Sequence, residues 1–299
     1  MKIFFYNALC ACLLLSANCF AQGQTEEYKK SIIKLEGVQM RFSFDEISKR
    51  LLKRLEAIPG FTQRESADIR EEYSSAKDTI RGTAVLIADG DKMYMVTAKH
   101  LIVSKENTDG KEDLNPLIVG KATINGQLSN DINIVGLTNY FARQTTFAFS
   151  NDKDDVAVIS FASKNFKNYA DYLKIIGAVA IPLQSIATED VSNNDELVTV
   201  GYPELTYQNR AIATSTGKAK DKDKTPTSFI ANISVTPGYS GAPVFKGNKM
   251  VGIIGYPEDV TSNEDVSKKP YKKASSVTVI KASAILSVLR DLQAKEGSK

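Results

Sequence analysis

From Arg81 onward the chain is cut into short apolar runs, and that pattern narrows its architecture more than any other feature. Thr83–Ile87 and Lys92–Thr97 are the first two runs, and Asp89-Gly90 between them is a hairpin signal. Further apolar or alternating runs occupy 117–124, 131–137, 155–161, 176–182, 196–202, 209–215, 228–235, 249–255 and 275–280, separated by Gly, Asn, Asp and Lys clusters. Many short strands at such spacing argue for an all-β barrel or sandwich. Helical spacing occurs only outside this region. Ser43 and Glu46 form a capping box ahead of Ile47, Leu51, Leu52, Leu55 and Ile58, and Pro59-Gly60 ends the pattern, so a helix is expected over 44–58. A weaker helical stretch covers 66–76. At the other end Ala284, Ile285, Val288, Leu289 and Leu292 predict a helix over 281–294 docked on the strands.

Composition removes several function classes. The 299 residues are 42% hydrophobic and 24% charged, with 38 Lys+Arg against 35 Asp+Glu and a formal net charge of +3. That is ordinary globular composition, and the charge balance supplies no general attraction to nucleic acid or to a membrane surface. With 3 Cys and 1 His, a zinc site built on several such ligands is effectively excluded, as is any chemistry needing two histidines. No metal or organic cofactor is expected. The polar stretches 105–114, 216–228 and 257–275 read as solvated loops.

Met1–Ala21 has the form of a secretory signal peptide: Lys2, an apolar run from Ile3 to Ala17, and a small residue at Ala21. The run is shorter than the roughly 20 residues of a comfortable membrane span. The expectation is an exported protein, periplasmic or extracellular, with no integral membrane segment once the signal is removed. Cys10, Cys12 and Cys19 all lie inside this segment, so the exported chain has no thiol and no disulfide. Lipid modification at Cys19 is the lesser alternative, because Asn18 is a poor match for the small residue such a site needs.

Three positions carry chemistry. Pro237-Gly238-Tyr239-Ser240-Gly241-Ala242-Pro243 places a serine between two glycines. A nucleophilic Oγ needs a tight exposed turn, with nearby backbone amides aimed at the oxygen of the attacked carbonyl. Gly238 and Ser240 are the candidate oxyanion donors, and Gly241 is read as room for the approaching substrate. Alone this motif is weak, because Gly and Ser also make ordinary turns. His100, the single histidine, ends Met95–His100 at the close of an expected strand, a rigid support suited to a general base. A lone histidine is more often a surface or satisfied core residue. Asp155 stands against the alternating strand Val156–Ile159, where it is placed to orient an imidazole; Asp152 and Asp154 are its rivals.

With these residues in the order His, Asp, Ser, the chain resembles a trypsin-like, chymotrypsin-fold serine protease of the bacterial secreted or periplasmic type. The resemblance rests on Gly82–Val85, Thr97–His100, Asp155–Val158, Gly201–Pro203, Pro237–Pro243 and Met250–Ile253, and covers roughly residues 80–295. It implies two six-stranded Greek-key β-barrels with a helical N-terminal leader and a C-terminal helix. The expected divisions are 1–21 signal, 22–79 leader, 80–165 first barrel, and 166–299 second barrel with the helix. It also implies an endopeptidase acting on peptides or proteins, with Ser240 as nucleophile, His100 as base and Asp155 as orienting acid. The floor of the primary pocket would be Ser234, six residues before Ser240, and its wall Ile253, Ile254, Gly255 and Tyr256. With no acid at Ser234, no preference for Arg or Lys is implied. Ala242, Tyr239 and Lys99 depart from the usual family pattern, the first two expected at the border of the oxyanion hole. Two other uses of such a fold stay open: a peptide-binding scaffold with weak turnover, and a zymogen restrained by residues 22–79.

Overall fold

The computed structural model describes residues 28–40, 77–104, 113–114, 117–119, 121–124, 127–133, 147–149, 154–161, 167–175, 177–203, 212–258 and 274–297. The expected signal segment over 1–21 and the helices expected over 44–58 and 66–76 lie outside these residues.

Strands β1 (Ile32–Met40), β2 (Lys77–Asp89) and β3 (Lys92–Thr97) are followed by two small hairpins and three further strands. The hairpins are β4 with β5 (Val103–Ser104, Asp113–Leu114) and β7 with β8 (Lys121–Ile124, Gln127–Asn133). The strands are β6 (Leu117–Val119), β9 (Phe147–Phe149) and β10 (Ala157–Ser160). The first half is a sheet in the order β6-β1-β2-β3-β10-β9. Helix α1 (Lys167–Ile175) leads to β11 (Ile181–Pro182), which adds to β2 in parallel as the seventh member. The second half is a closed barrel of β12 (Glu196–Gly201), β13 (Ala213–Thr225), β14 (Ser228–Ile233), β15 (Pro243–Lys246), β16 (Lys249–Pro257) and β17 (Val277–Lys281), in the order β12-β13-β14-β17-β16-β15. Helix α2 (Ala282–Gly297) is the last element among the described residues. The two-halved all-β architecture with its terminal helix agrees with the sequence expectation.

The central strands carry no polar face, so their sheet must be covered on both sides. Ala84, Leu86, Met93, Met95, Ala157 and Ile159 share one buried cluster with Leu173 of α1. The residues between them, Val85, Ile87, Tyr94, Val96 and Val158, join a second cluster with Phe245, Ile253 and the apolar stripe of α2. That second cluster is the seam between the halves. The barrel interior is a third, around Leu197, Phe229, Ile233, Tyr239, Val244 and Val279.

Three sequence expectations are corrected. Residues 32–40 are a strand, not part of a helical leader. β1 pairs with β2 along its whole length, from Ile32 opposite Val85 to Met40 opposite Lys77. Ile32, Ile33 and Leu35 are buried. Just before β1, Tyr28 stacks on Phe245 with ring centroids 4.3 Å apart and donates its hydroxyl to the Asn248 carbonyl at 2.9 Å. Loss of residues 32–40 would strip a strand and three core side chains from the first half, so this portion of 22–79 is built into the sheet. The expected loop 216–228 is the β13–β14 hairpin, because the backbone of this Lys/Asp-rich segment is paired to neighbouring strands. The expected run 176–182 is a strand only at Ile181–Pro182, and α1 ahead of it, seated through Ala170 and Leu173, was not anticipated.

Candidate active site

β3 and β10 are antiparallel, with Ala157 opposite Thr97. Continued two residues past that pair, the register brings Asp155 opposite Lys99, beside His100. A 3-10 turn over Lys99–Leu101 ends β3 and lifts His100 out of the strand. Leu101 pins the turn: it is buried, and a Cβ on Gly82 would lie 2.1 Å from its Cδ1. His100 then receives both oxygens of one carboxylate. Its backbone N–H donates to Asp155 Oδ1 at 2.8 Å, and its ring Nδ1 lies 2.7 Å from Oδ2. Asp155 is 7% exposed. A buried carboxylate acceptor at Nδ1 assigns the proton there and leaves Nε2 as the free acceptor. Of the rival acids, Asp154 accepts instead from the Thr227 hydroxyl, and Asp152 lies outside the described residues.

The turn carrying Ser240 belongs to the other half, yet it is tied to the strands that hold His100. Thr83 N–H donates to the Ser240 carbonyl at 2.8 Å, and the Thr83 hydroxyl donates to the Gly238 carbonyl at 2.7 Å. Thr97 in turn donates its hydroxyl to the Thr83 carbonyl at 2.7 Å. Thr83 and Thr97 are fully buried in apolar strands, and they are the functional residues the sequence reading passed over; a hydroxyl inside such a run was the available signal. Within the turn, Gly241 N–H donates to Ile254 and Ala242 N–H to Tyr239, while Ile254 N–H returns to Ala242. The amides of Gly238 and Ser240 have no acceptor among the described residues. Two unpaired N–H groups flanking a half-buried serine have the composition of an oxyanion site.

Gly238 and Gly241 have φ values of 98° and 80°, a region where side chains are strained. At Gly241 space decides as well, since a Cβ would lie 2.2 Å from the Thr83 carbonyl and 2.4 Å from Thr97 Oγ1. Gly241 thus serves the contact between the halves, which corrects its expected role as room for substrate. Tyr239 and Ala242 turn their side chains into the barrel interior, and burial pushes the Tyr239 phenol up to about 12.

Of the expected pocket residues, Ile253 and Ile254 send their side chains into the seam and the barrel core. Gly255 is buried against Ile280. Tyr256 stacks on the His100 ring, centroids 4.9 Å apart and planes 29° apart. Burial, and then the charge of Asp155, hold the Tyr256 phenol up at about 12. Ser234 is half-buried just past β14, its carbonyl accepting from the Ser215 hydroxyl at 2.6 Å.

Residues 82–253 match the trypsin-like peptidase domain, more than half of the chain. The chain belongs to that family. It is a trypsin-like serine peptidase, and its substrates are peptides or proteins. No curated protein sequence matches it at a significant level. Among solved structures it is similar to the thermostable serine protease AL20 from an extremophilic microorganism, at 12% identity and a TM-score of 0.49, covering 87% of this chain and 95% of that one. It is similar to the protease Anisep from Arthrobacter nicotinovorans, at 12% identity and 0.49, covering 89% and 96%. The HtrA-type protease AlgW with a decapeptide follows at 11% identity and 0.44, covering 91% and 67%. Among the described residues of this peptidase no helix is long and apolar enough to cross a membrane.

Proposed function

We propose that this peptidase is exported by its Met1–Ala21 segment and cleaves internal peptide bonds with Ser240, His100 and Asp155. The double hydrogen bond from His100 to Asp155 carries this reading. Ser240 Oγ attacks the peptide carbonyl while His100 Nε2 takes its proton, and Asp155 stabilises the imidazolium that forms. The amides of Gly238 and Ser240 receive the oxyanion, a contribution of roughly 10²–10³ in rate for each donor. His100 then protonates the leaving amine. Water hydrolyses the acyl-enzyme, again with His100 as base, and Ser240 recovers its proton.

One experiment tests site and compartment together. The exported fraction of the native host is treated with a serine-directed phosphonate, and the intact mass is read. The expected species is a single adduct at Ser240 on a chain beginning near Gln22. Ser240→Ala and His100→Ala should each lose turnover by roughly 10⁴-fold or more, and the double variant should be little worse. An unlabelled folded protein would leave the weak scaffold as the better reading. A lipid-bearing chain beginning at Cys19 would replace soluble export with anchoring.

A further inference from the structure

At the back of the seam lies a cavity of about 690 Å³ that catalysis does not use. Its walls come from both halves. Asp89 ends β2, Lys249 opens β16, Leu183 and Ile186 belong to the connection between the halves, and Leu286, Leu289 and Arg290 belong to α2. Two strands measure its distance from the active site. Along β16, Lys249 and the His100-stacking Tyr256 are seven residues apart, and along β2, Asp89 and the Ser240-binding Thr83 are six apart. At about 3.3 Å per residue both paths give roughly 20 Å.

The lining has three kinds of surface. Leu183, Ile186, Leu286 and Leu289 form an apolar floor. Above it stand two cations. Lys249 donates to the Gln184 carbonyl at 2.6 Å, Arg290 is exposed, and neither has a carboxylate partner among the described residues. Two carboxylates share the same cavity: Glu189, exposed and with no cation paired to it among the described residues, and Asp89, which accepts only the neutral Gln293 amide at 2.8 Å. Four charges of both signs lining one cavity, left unpaired with one another around an apolar floor, suit a ligand that carries both charges itself.

We propose that this cavity binds a short peptide with free ends. Its carboxylate goes to Lys249 and Arg290, its ammonium to Glu189 and Asp89, and its aliphatic side chains to the leucine-rich floor. The volume falls within the roughly 300–1,000 Å³ of small-ligand sites, enough for a peptide of a few residues. As to the source of such a ligand, the inference rests on the peptidase reading. Hydrolysis adds water across a peptide bond and leaves the new carboxylate on one fragment and the new ammonium on the other, so a short fragment released by two cuts carries both of the charges this cavity offers to match.

The test reads binding, not turnover, so it is independent of catalysis. Full-length protein carrying Ser240→Ala is titrated calorimetrically with tri-leucine, and separately with N-acetyl-tri-leucine amide. Saturable binding of the free-ended peptide is expected, with the blocked form weaker by roughly tenfold or more, the size of a lost charged contact. Arg290→Gln, Lys249→Gln and Glu189→Gln, all at exposed positions, should each weaken the free peptide and leave the blocked one unchanged. The proposal is overturned if the free peptide shows no saturable binding, if both peptides bind alike, or if all three variants bind as the parent does. If the parent protein with Ser240 intact turned over no peptide while the free peptide still bound at Arg290, the peptidase reading would fall and the site would stand.

Discussion

Asp154 and Asp155 are neighbours with different fates, and the difference is one of partner. Asp155 gives both oxygens to His100, whereas Asp154 turns its carboxylate to the Thr227 hydroxyl. Asp155→Asn puts an amide against Nδ1, favours the tautomer with Nε2 protonated, and should lower kcat by about 10⁴-fold with the fold intact. Asp154→Asn should stay within roughly threefold, because its bond touches nothing that reacts. Both variants are assayed on one fluorogenic peptide, and equal losses would mean that the acid acts through bulk charge and not through orientation. This distinction was readable in the sequence, since only Asp155 abuts the apolar run Val156–Ile159. The roles of Gly241, Tyr239 and Ala242 were not readable. Each depends on what lies across the seam or the barrel, more than a hundred residues away in the case of Thr83, and no local pattern encodes that contact.

At the scale of elements, β1 decides whether residues before 80 are accessory or structural. Ile33 and Leu35 sit in the core cluster of the first half with Leu86 and Met95. Truncating a fully buried isoleucine costs its transfer energy and leaves a cavity, so Ile33→Ala should lower unfolding stability by about 2–5 kcal/mol. The urea midpoint reports this, with activity per folded molecule unchanged; a shift equivalent to less than ~0.5 kcal/mol would show β1 to be peripheral. The sequence hid β1 because Ile32–Leu35 is brief, lies among Lys29, Lys30, Lys34 and Glu36, and finds its partner strand more than forty residues later. β13 was hidden for the opposite reason. Its composition is that of a loop, but pairing on both edges overrides propensity, and Lys224 closes onto Glu258 and Thr278. Strands that carry their own apolar run, such as β3, β10, β14 and β16, were legible from the start.

For the molecule as a whole, the apolar seam and barrel core that hold the two halves in register also bury phenols, and this makes the fold sensitive to alkali. Burial raises Tyr94 in the seam, and holds Tyr239 in the barrel core and Tyr256 beside His100 at about 12. An unfolded chain titrates its tyrosines near 10. Below pH ~10 both states keep these protons and stability is unaffected. Between about 10 and 12 the unfolded state has released them and the folded state has not. The unfolded state then binds fewer protons, so stability must fall as pH rises through this window. Tyr239, only 4% exposed, sets the scale: two pH units correspond to at most about 2.7 kcal/mol. Tyr256, at 40% exposed, is screened by water and adds much less. Against a typical stability of about 5–15 kcal/mol, the Tyr239 contribution is large enough to measure. Urea midpoints at pH 9, 10, 11 and 12 should decline more steeply for the parent than for Tyr239→Phe, which has no phenolic proton to release. Lysines titrate in the same range in both proteins, so the difference between the two curves isolates the tyrosine. Parallel curves would mean that the Tyr239 hydroxyl is solvated in the folded barrel and that the buried phenol is not what limits the protein in alkali.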